Sequence, residues 1–329
     1  MKPWKGTSER IRHLWLLATA AALIPLSASA GNYPERPITM VVPTSPGGGN
    51  DAIARVVAQK MSVVLGQPVV VENRAGANGA IASEYITRAP ADGYAILFGY
   101  IGTHGMNPAL QTVRYDPVGG FTPIGMVCES PTLMVISPAV SDATVAAFVA
   151  DTRAHPDKFN YASAGNGTAP HFAAEMFKIA TGAQLAHIPY KGSAPAMLGT
   201  ISGQTQVMFP SLIGAYAHVQ SGKLRAMAIA GSHRSPVLPD VPTLDELGVK
   251  GVDVTQWYAL FAPPGTPAPI IGKLNQALNA ALADPGVVRH IEREGATVQA
   301  GTPAQLDQRV RSELAKWKEV VAKAHLHAE

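Results

Sequence analysis

Short strand-like runs, glycine-bearing loops and helix-like runs alternate along most of this chain, and that alternation constrains its fold more than any other feature. The apolar run Ile38 to Val42 leads into Pro43-Thr44-Ser45-Pro46-Gly47-Gly48-Gly49-Asn50-Asp51. A helical pattern follows, with Ile53, Val56, Val57, Met61 and Val64 on one face and Asn50 or Asp51 placed to cap it. Val69 to Glu72 reads as a second strand, Asn73 to Gly79 as a second glycine loop, and Ala80 to Arg88 as a second helix. A turn at Pro90-Ala91-Asp92-Gly93 then introduces a third strand, Tyr94 to Phe98. Strands separated by single helices predict parallel sheets covered on both faces.

The same pattern recurs further on. Leu133 to Ser137, Asn160 to Ser163, Leu185 to Pro189 and Gln206 to Phe209 read as strands. Ala143 to Ala154, Ala169 to Thr181 and Ala194 to Ser202 read as helices. At 329 residues the chain exceeds the usual size of one core, so a second α/β domain is expected. Ser235 to Val249 is proline-rich and reads as a surface run. Trp257 to Ala262 is a strand, and Ile270 to Ala283, Gly286 to Arg293 and Pro303 to Ala324 are helices. The last carries Leu306, Val310, Leu314, Trp317 and Val321 at spacings of three and four.

The first thirty residues read as a leader. Lys2, Lys5, Arg10 and Arg12 form a basic start, Leu14 to Leu26 is apolar but too short to span a bilayer, and Ala28-Ser29-Ala30 offers a cleavage site. Cleavage after Ala30 predicts a periplasmic protein. What remains carries 22 Lys/Arg and 22 Asp/Glu, so no basic field points to nucleic acid. The single cysteine, Cys128, lies in an apolar run that predicts a buried strand position, and alone it makes no internal disulfide.

Two loops have the chemistry to receive an anion. Thr44, Ser45, Gly47, Gly48 and Asn50 precede a helix start, where unpaired amides and the helix dipole favour negative charge. A plain strand-to-helix turn has the same composition. Ser163, Gly165, Gly167, Thr168 and His171 repeat the arrangement later, with Thr168 either a ligand contact or an N-cap. Asn78, in the second glycine loop, joins this candidate set, as do Thr103 and His104 just beyond the third strand, where open α/β sheets place ligands. His104 reads equally as a structural histidine. Lys191 is either a surface lysine or an attractant for an anion. The first loop lacks the lysine of a phosphate-binding P-loop.

Several ordered motifs resemble the receptors of the tripartite tricarboxylate transporter family, also called the Bug family of extracytoplasmic solute receptors. They include Tyr33-Pro34-Glu35-Arg36-Pro37-Ile38, Pro46-Gly47-Gly48 with Asp51, Gly102-Thr103-His104 with Asn107-Pro108, and Tyr115-Asp116-Pro117. Tyr161 to Thr168 with His171, His187-Ile188-Pro189-Tyr190-Lys191-Gly192, Pro239 to Thr243 and Ala262 to Pro267 continue the series. The resemblance implies a two-domain type II periplasmic binding fold of the Venus flytrap kind, each domain a sheet flanked by helices. It places domain 1 at 31–128 plus 259–329, domain 2 at 129–258, and hinge crossings near 127–133 and 257–262. It also implies that loop amides, hydroxyls and bridging water hold a ligand carboxylate. Receptors of this family often carry an aspartate in the strand read here as Gln206 to Phe209 and another just after it. This chain has Gln206 and Pro210 there, so a ligand that needs an acidic partner, such as an amino acid ammonium, does not carry over; Pro210 is expected at the ligand's far end.

Hydrolase signatures are missing: the sequence has no Gly-x-Ser-x-Gly elbow and no His-Glu-x-x-His. The expectation is therefore a non-enzymatic, monomeric receptor without cofactor or metal. It would capture a small organic acid and deliver it to integral membrane subunits of a tripartite transporter. A periplasmic sensor for a signalling system and a periplasmic hydrolase are the alternatives.

Overall fold

A computed structural model describes residues 32–324 and Leu326; the leader expected at residues 1–30 lies outside the described residues. Three strands open the fold: β1 (Ile38–Val42), β2 (Val69–Asn73) and β3 (Ala95–Tyr100). β1 lies between the other two and pairs with both in parallel. Ile38, Met40, Val41 and Val42 are fully buried, as expected for a strand covered on both faces. Helix α1 (Gly49–Leu65) links β1 to β2 and buries Ile53, Ala54, Val57, Ala58 and Met61. Its stripe ends a turn earlier than the sequence suggests, because Val64 is 43% exposed beside the left-handed Gly66 that stops the helix. Helix α2 (Ala80–Thr87) links β2 to β3, and a tight buried turn at Gly102–Met106 runs into the short α3 (Asn107–Leu110).

The long strand β4 (Thr122–Ile136) organises the rest. The sequence suggests two runs here, around Ile124 to Cys128 and Leu133 to Ser137. They are one strand that changes partner midway. Thr122 to Pro131 pair antiparallel with β9 (Thr255–Ala262), and from Thr132 onward the strand pairs with β8 (Arg225–Ala230). Pro131, which cannot donate to a ladder, sits at this exchange. Around the first segment lie β3, β9 and β10 (Thr297–Val298). Around the second lie β7 (Val207–Met208) and then the parallel pair β5 (Asn160–Ser163) and β6 (Ala186–Pro189). The full order is β2-β1-β3-β9-β4-β7-β5-β6, with β8 and β10 added on β4. Both half-sheets belong to one packed unit, residues 34–329.

Helices α4 (Val145–Ala154), α5 (Ala169–Thr181), α6 (Ser193–Ile201) and α7 (Leu212–Gln220) cover the second half-sheet. Helices α8 (Ala268–Leu282), α9 (Pro285–Arg293) and α10 (Pro303–Ala324) close the chain. α10 buries Leu306, Val310 and Trp317, as its spacing predicts. The Trp317 ring meets Phe172 of α5 edge-on at 5.4 Å, and its Nε1 donates to Glu313 at 2.8 Å. An aromatic ring of this size buries ~150–250 Å2, roughly 4–6 kcal/mol of hydrophobic stabilisation. Cys128 is fully buried on β4, and burial pushes its thiol far above the ordinary thiol range, in keeping with the buried strand position expected for it. Among the described residues no helix is long and apolar enough to cross a membrane.

Candidate functional site

Where the two half-sheets meet, loops from both enclose a cavity of about 860 Å3, within the range of small-molecule sites. The β1–α1 loop supplies Thr44, Ser45, Gly48, Gly49 and Asn50. Its shape is set by Asp51, whose carboxylate accepts from the Gly47 amide at 3.0 Å, from Arg55 Nε at 3.0 Å and from Asn73 Nδ2 at 2.9 Å. Burial alone would raise the Asp51 pKa. The hydrogen bonds from Arg55, Gly47 and Asn73 outweigh it and hold the carboxyl below its ordinary value. Asp51 therefore ties down the loop and does not cap α1. The N-cap is Gly48, which has no side chain to satisfy the first-turn amides. Beside this uncapped end, Thr44 Oγ1 and Asn50 Nδ2 are buried without a hydrogen-bond partner.

The second glycine loop adds Ala75 to Gly79. Ala77 and Asn78 both adopt the left-handed conformation, with φ of 46° and 48°, a strain of roughly 1–2 kcal/mol per residue for non-glycine backbone. Hydrogen bonds hold them there. Tyr100 OH donates to Asn78 Oδ1 at 2.5 Å, and Asn107 Nδ2 donates to the Ala77 carbonyl at 3.2 Å. Asn78 Nδ2 reaches from the first half-sheet to the Gly167 carbonyl of the second, at 2.5 Å. Burial pushes the Tyr100 phenol well above its usual range, so the ring stays a neutral donor.

From the other side come Ala164, Gly165, Asn166 and Thr168, then Pro189 to Ala194, Pro210, Ser211 and Gly214. Thr168 occupies the N-cap position of α5, but its hydroxyl donates to the Gly165 carbonyl at 2.6 Å and caps nothing. Gly192 precedes α6 without a side-chain cap, and Ser211 caps α7 through the Gly214 amide. Three helix starts thus contribute from this side, facing the start of α1 across the cavity. Among the described residues, Lys191 is the only lining residue with a formal charge, and no carboxylate lines the cavity. Partial positive ends suit an anion, and the one carboxylate beside them, Asp51 in the first turn of α1, is engaged by Arg55, Gly47 and Asn73.

Of the expected site residues, Thr44, Ser45, Gly48, Asn50, Asn78, Gly165, Thr168 and Pro210 line the cavity. Gly47 shapes the loop from outside it. Ser163, Gly167 and His171 lie behind the wall and hold it. Thr103 and His104 sit in the core of the first half-sheet, both fully buried. Thr103 Oγ1 donates to the Tyr100 carbonyl at 2.9 Å and contacts His104 Nδ1 at 2.8 Å. The His104 ring stacks on Phe261 at 3.8 Å, and burial pushes its pKa down to about 3, so it is a neutral structural ring. Gln206 holds Asn160 and Gly203 through its amide and is not in the wall. Sequence reasoning left Tyr100, Gln111, Asn166, Ser211 and Gln256 outside the candidate site, although all five line it. Gln256 had one signal, its place immediately before the strand read as Trp257 to Ala262 and expected as a crossing; the strand in fact begins at Thr255.

Comparison with known proteins agrees with this architecture. The sequence profile described as tripartite tricarboxylate transporter family receptor matches residues 53–326. The periplasmic binding protein BugD superposes with a TM-score of 0.87 at 37% identity, covering 90% of this chain and 100% of its own. MatC from Rhodopseudomonas palustris, solved with malate, gives 0.84 at 35% identity over 88% of this chain and 100% of its own. A second R. palustris protein, solved with adipate, gives 0.87 at 32% identity over 90% of this chain and 99% of its own.

Proposed function

Since the chain belongs to the tripartite tricarboxylate transporter receptor family, we propose that it is a monomeric periplasmic receptor that captures a small organic carboxylate and passes it to the membrane subunits of such a transporter. The observation that carries this reading is the pair of buried, unpartnered donors, Thr44 Oγ1 and Asn50 Nδ2, beside the uncapped start of α1. Buried polar groups are normally satisfied, and a carboxylate satisfies both at once. The Gly165 to Thr168 segment faces the same space and closes around the acid. Two domains, 31–128 with 259–329 and 129–258, then move about β4 and β9. Malate and adipate, held by two relatives, are linear dicarboxylates; here Lys191 supplies the counter-charge for a second carboxylate. Pro210 in the wall, with no carboxylate near it, disfavours an amino acid whose ammonium needs a partner. Calorimetry of malate and adipate against their dimethyl esters tests the reading. The diacids should bind and the esters should not. Equal affinity for a diacid and its neutral ester refutes the proposal.

A further inference from the structure

The two half-sheets touch across the cavity through a side chain to which the binding reading gives no part. Asn78, in the loop after β2, donates through Nδ2 to the Gly167 carbonyl, in the loop after β5, at 2.5 Å and 89 positions further along the chain. The direction of this amide is fixed. A carbonyl oxygen only accepts, so the nitrogen end of Asn78 faces Gly167. The oxygen end then faces Tyr100 OH, which donates to it at 2.5 Å. Both ends of the amide are thus engaged by protein groups on either side of the cleft.

The first half-sheet holds Asn78 in place. Gly76, Ala77, Asn78 and Gly79 run consecutively at positive φ, with values of 132°, 46°, 48° and 86°. Such a run persists only where its surroundings over-determine it. The Gly79 amide donates to the Gly76 carbonyl at 2.9 Å, and Asn107 Nδ2 donates to the Ala77 carbonyl at 3.2 Å. Asn107 Oδ1 accepts in turn from Gln111 Nε2 at 2.5 Å. A Cβ on Gly79 would lie 2.6 Å from Thr103 Cγ2, so the loop also packs directly on the core beneath it. The moving partner is shaped to meet this catch. Gly167 is buried at φ 73°, and a Cβ there would lie 3.3 Å from Leu110 Cδ2 and 3.5 Å from both Asn107 Oδ1 and Asn78 Nδ2. Glycine lets the backbone enter that seat.

We propose that Asn78 is a positioning residue, a latch that holds the second binding loop against the first half-sheet and keeps the cavity closed before a ligand arrives. Two other glycines set how closely the halves can meet. A Cβ on Gly49 would lie 3.0 Å from Ile213 Cγ2, and one on Gly192 would lie 3.5 Å from Ser45 Oγ. The Asn78 hydrogen bond favours that they do meet. A contact present in the closed state and lost in the open one shifts the balance between them, and the closed fraction scales the apparent affinity.

The latch rests on the carboxylate reading only for its effect on affinity; its effect on shape is measured without ligand. Asn78→Gly deletes the amide and leaves a residue that takes a φ of 48° without strain. The closed-to-open ratio should fall roughly two- to tenfold, the worth of one hydrogen bond. Small-angle scattering of the ligand-free variant should therefore give a larger radius of gyration than wild type. Saturating malate or adipate should return it to the wild-type value. Both acids should bind the variant more weakly, by up to the same factor and through faster release. Tyr100→Phe keeps Asn78 but frees its amide to turn, and should shift the ligand-free profile in the same direction by less. A ligand-free Asn78→Gly profile identical to wild type overturns the latch. Weaker binding with that unchanged shape is the mark of a direct ligand contact instead. If Asn78→Gly fails to fold, Tyr100→Phe decides by the same criterion. Expansion of the variant in a protein that binds neither acid leaves the latch standing and defeats the carboxylate reading.

Discussion

Replacing Thr44 with valine separates a binding hydroxyl from a structural one. The hydroxyl is buried in the cavity wall with no protein partner, while the Thr44 carbonyl is held independently by Asn73 Nδ2 at 3.1 Å. Valine matches threonine in shape. Thr44→Val therefore removes an unsatisfied group and leaves the loop anchored by Asp51 and Asn73. Ligand-free stability should stay level or rise by up to about 1 kcal/mol. Affinity should move the other way. A hydrogen bond to a charged acceptor contributes about 1.5–3 kcal/mol, so binding of a diacid should weaken roughly ten- to 150-fold. Calorimetry gives the affinity, and thermal melting with and without malate gives both quantities in one sample. The opposite pattern, a protein destabilised by more than about 1 kcal/mol with affinity within twofold of wild type, refutes the assignment of Thr44 as a ligand donor.

Two further outcomes concern pH. Asp51 has a folded pKa below its ordinary 3.8, so its contribution is present above that value and is lost as pH falls through the folded pKa. Asp51→Asn should cost about 1 kcal/mol at neutral pH and weaken this acid-range loss in denaturant melts followed against pH; the partner Arg55 is half exposed, which keeps the figure small. His104, held neutral down to about pH 3, adds stability above the unfolded value of 6.5 that drains as pH falls toward 3. The loss should approach ~1.4 kcal/mol per pH unit, and His104→Gln should flatten it; an unchanged slope refutes the assignment.

Periodicity and turn chemistry made the strands and helices around the first site loop legible. β1 is bounded at Ile38 and Val42 as its apolar run suggests, and α5 spans Ala169 to Thr181 as read. Legibility failed where a local signal opposed the tertiary one. Pro131 lies between the run around Cys128 and the strand read at Leu133 to Ser137, yet it falls where β4 exchanges β9 for β8, so the missing donor costs little and the strand continues. Gly214 inside α7 weakens a short helical pattern, and that helix went unread, with Ser211 at its start.

By itself the sequence determined the alternation of elements, the two glycine loops placed before helices and the likeness to a receptor family, because these depend on neighbours along the chain. Only the tertiary structure decided which side chains face the cavity. Thr103, His104, Ser163 and His171 have the polar chemistry of ligand contacts, but the packing turns the first two into the core and sets the others behind the wall. Tyr100 and Gln256 reach the cavity from near the ends of strands that are largely apolar. The direction a side chain takes depends on what packs against its other side, and in this fold those partners lie far away in the chain: Phe261 stacks on His104, and Gly167 accepts from Asn78.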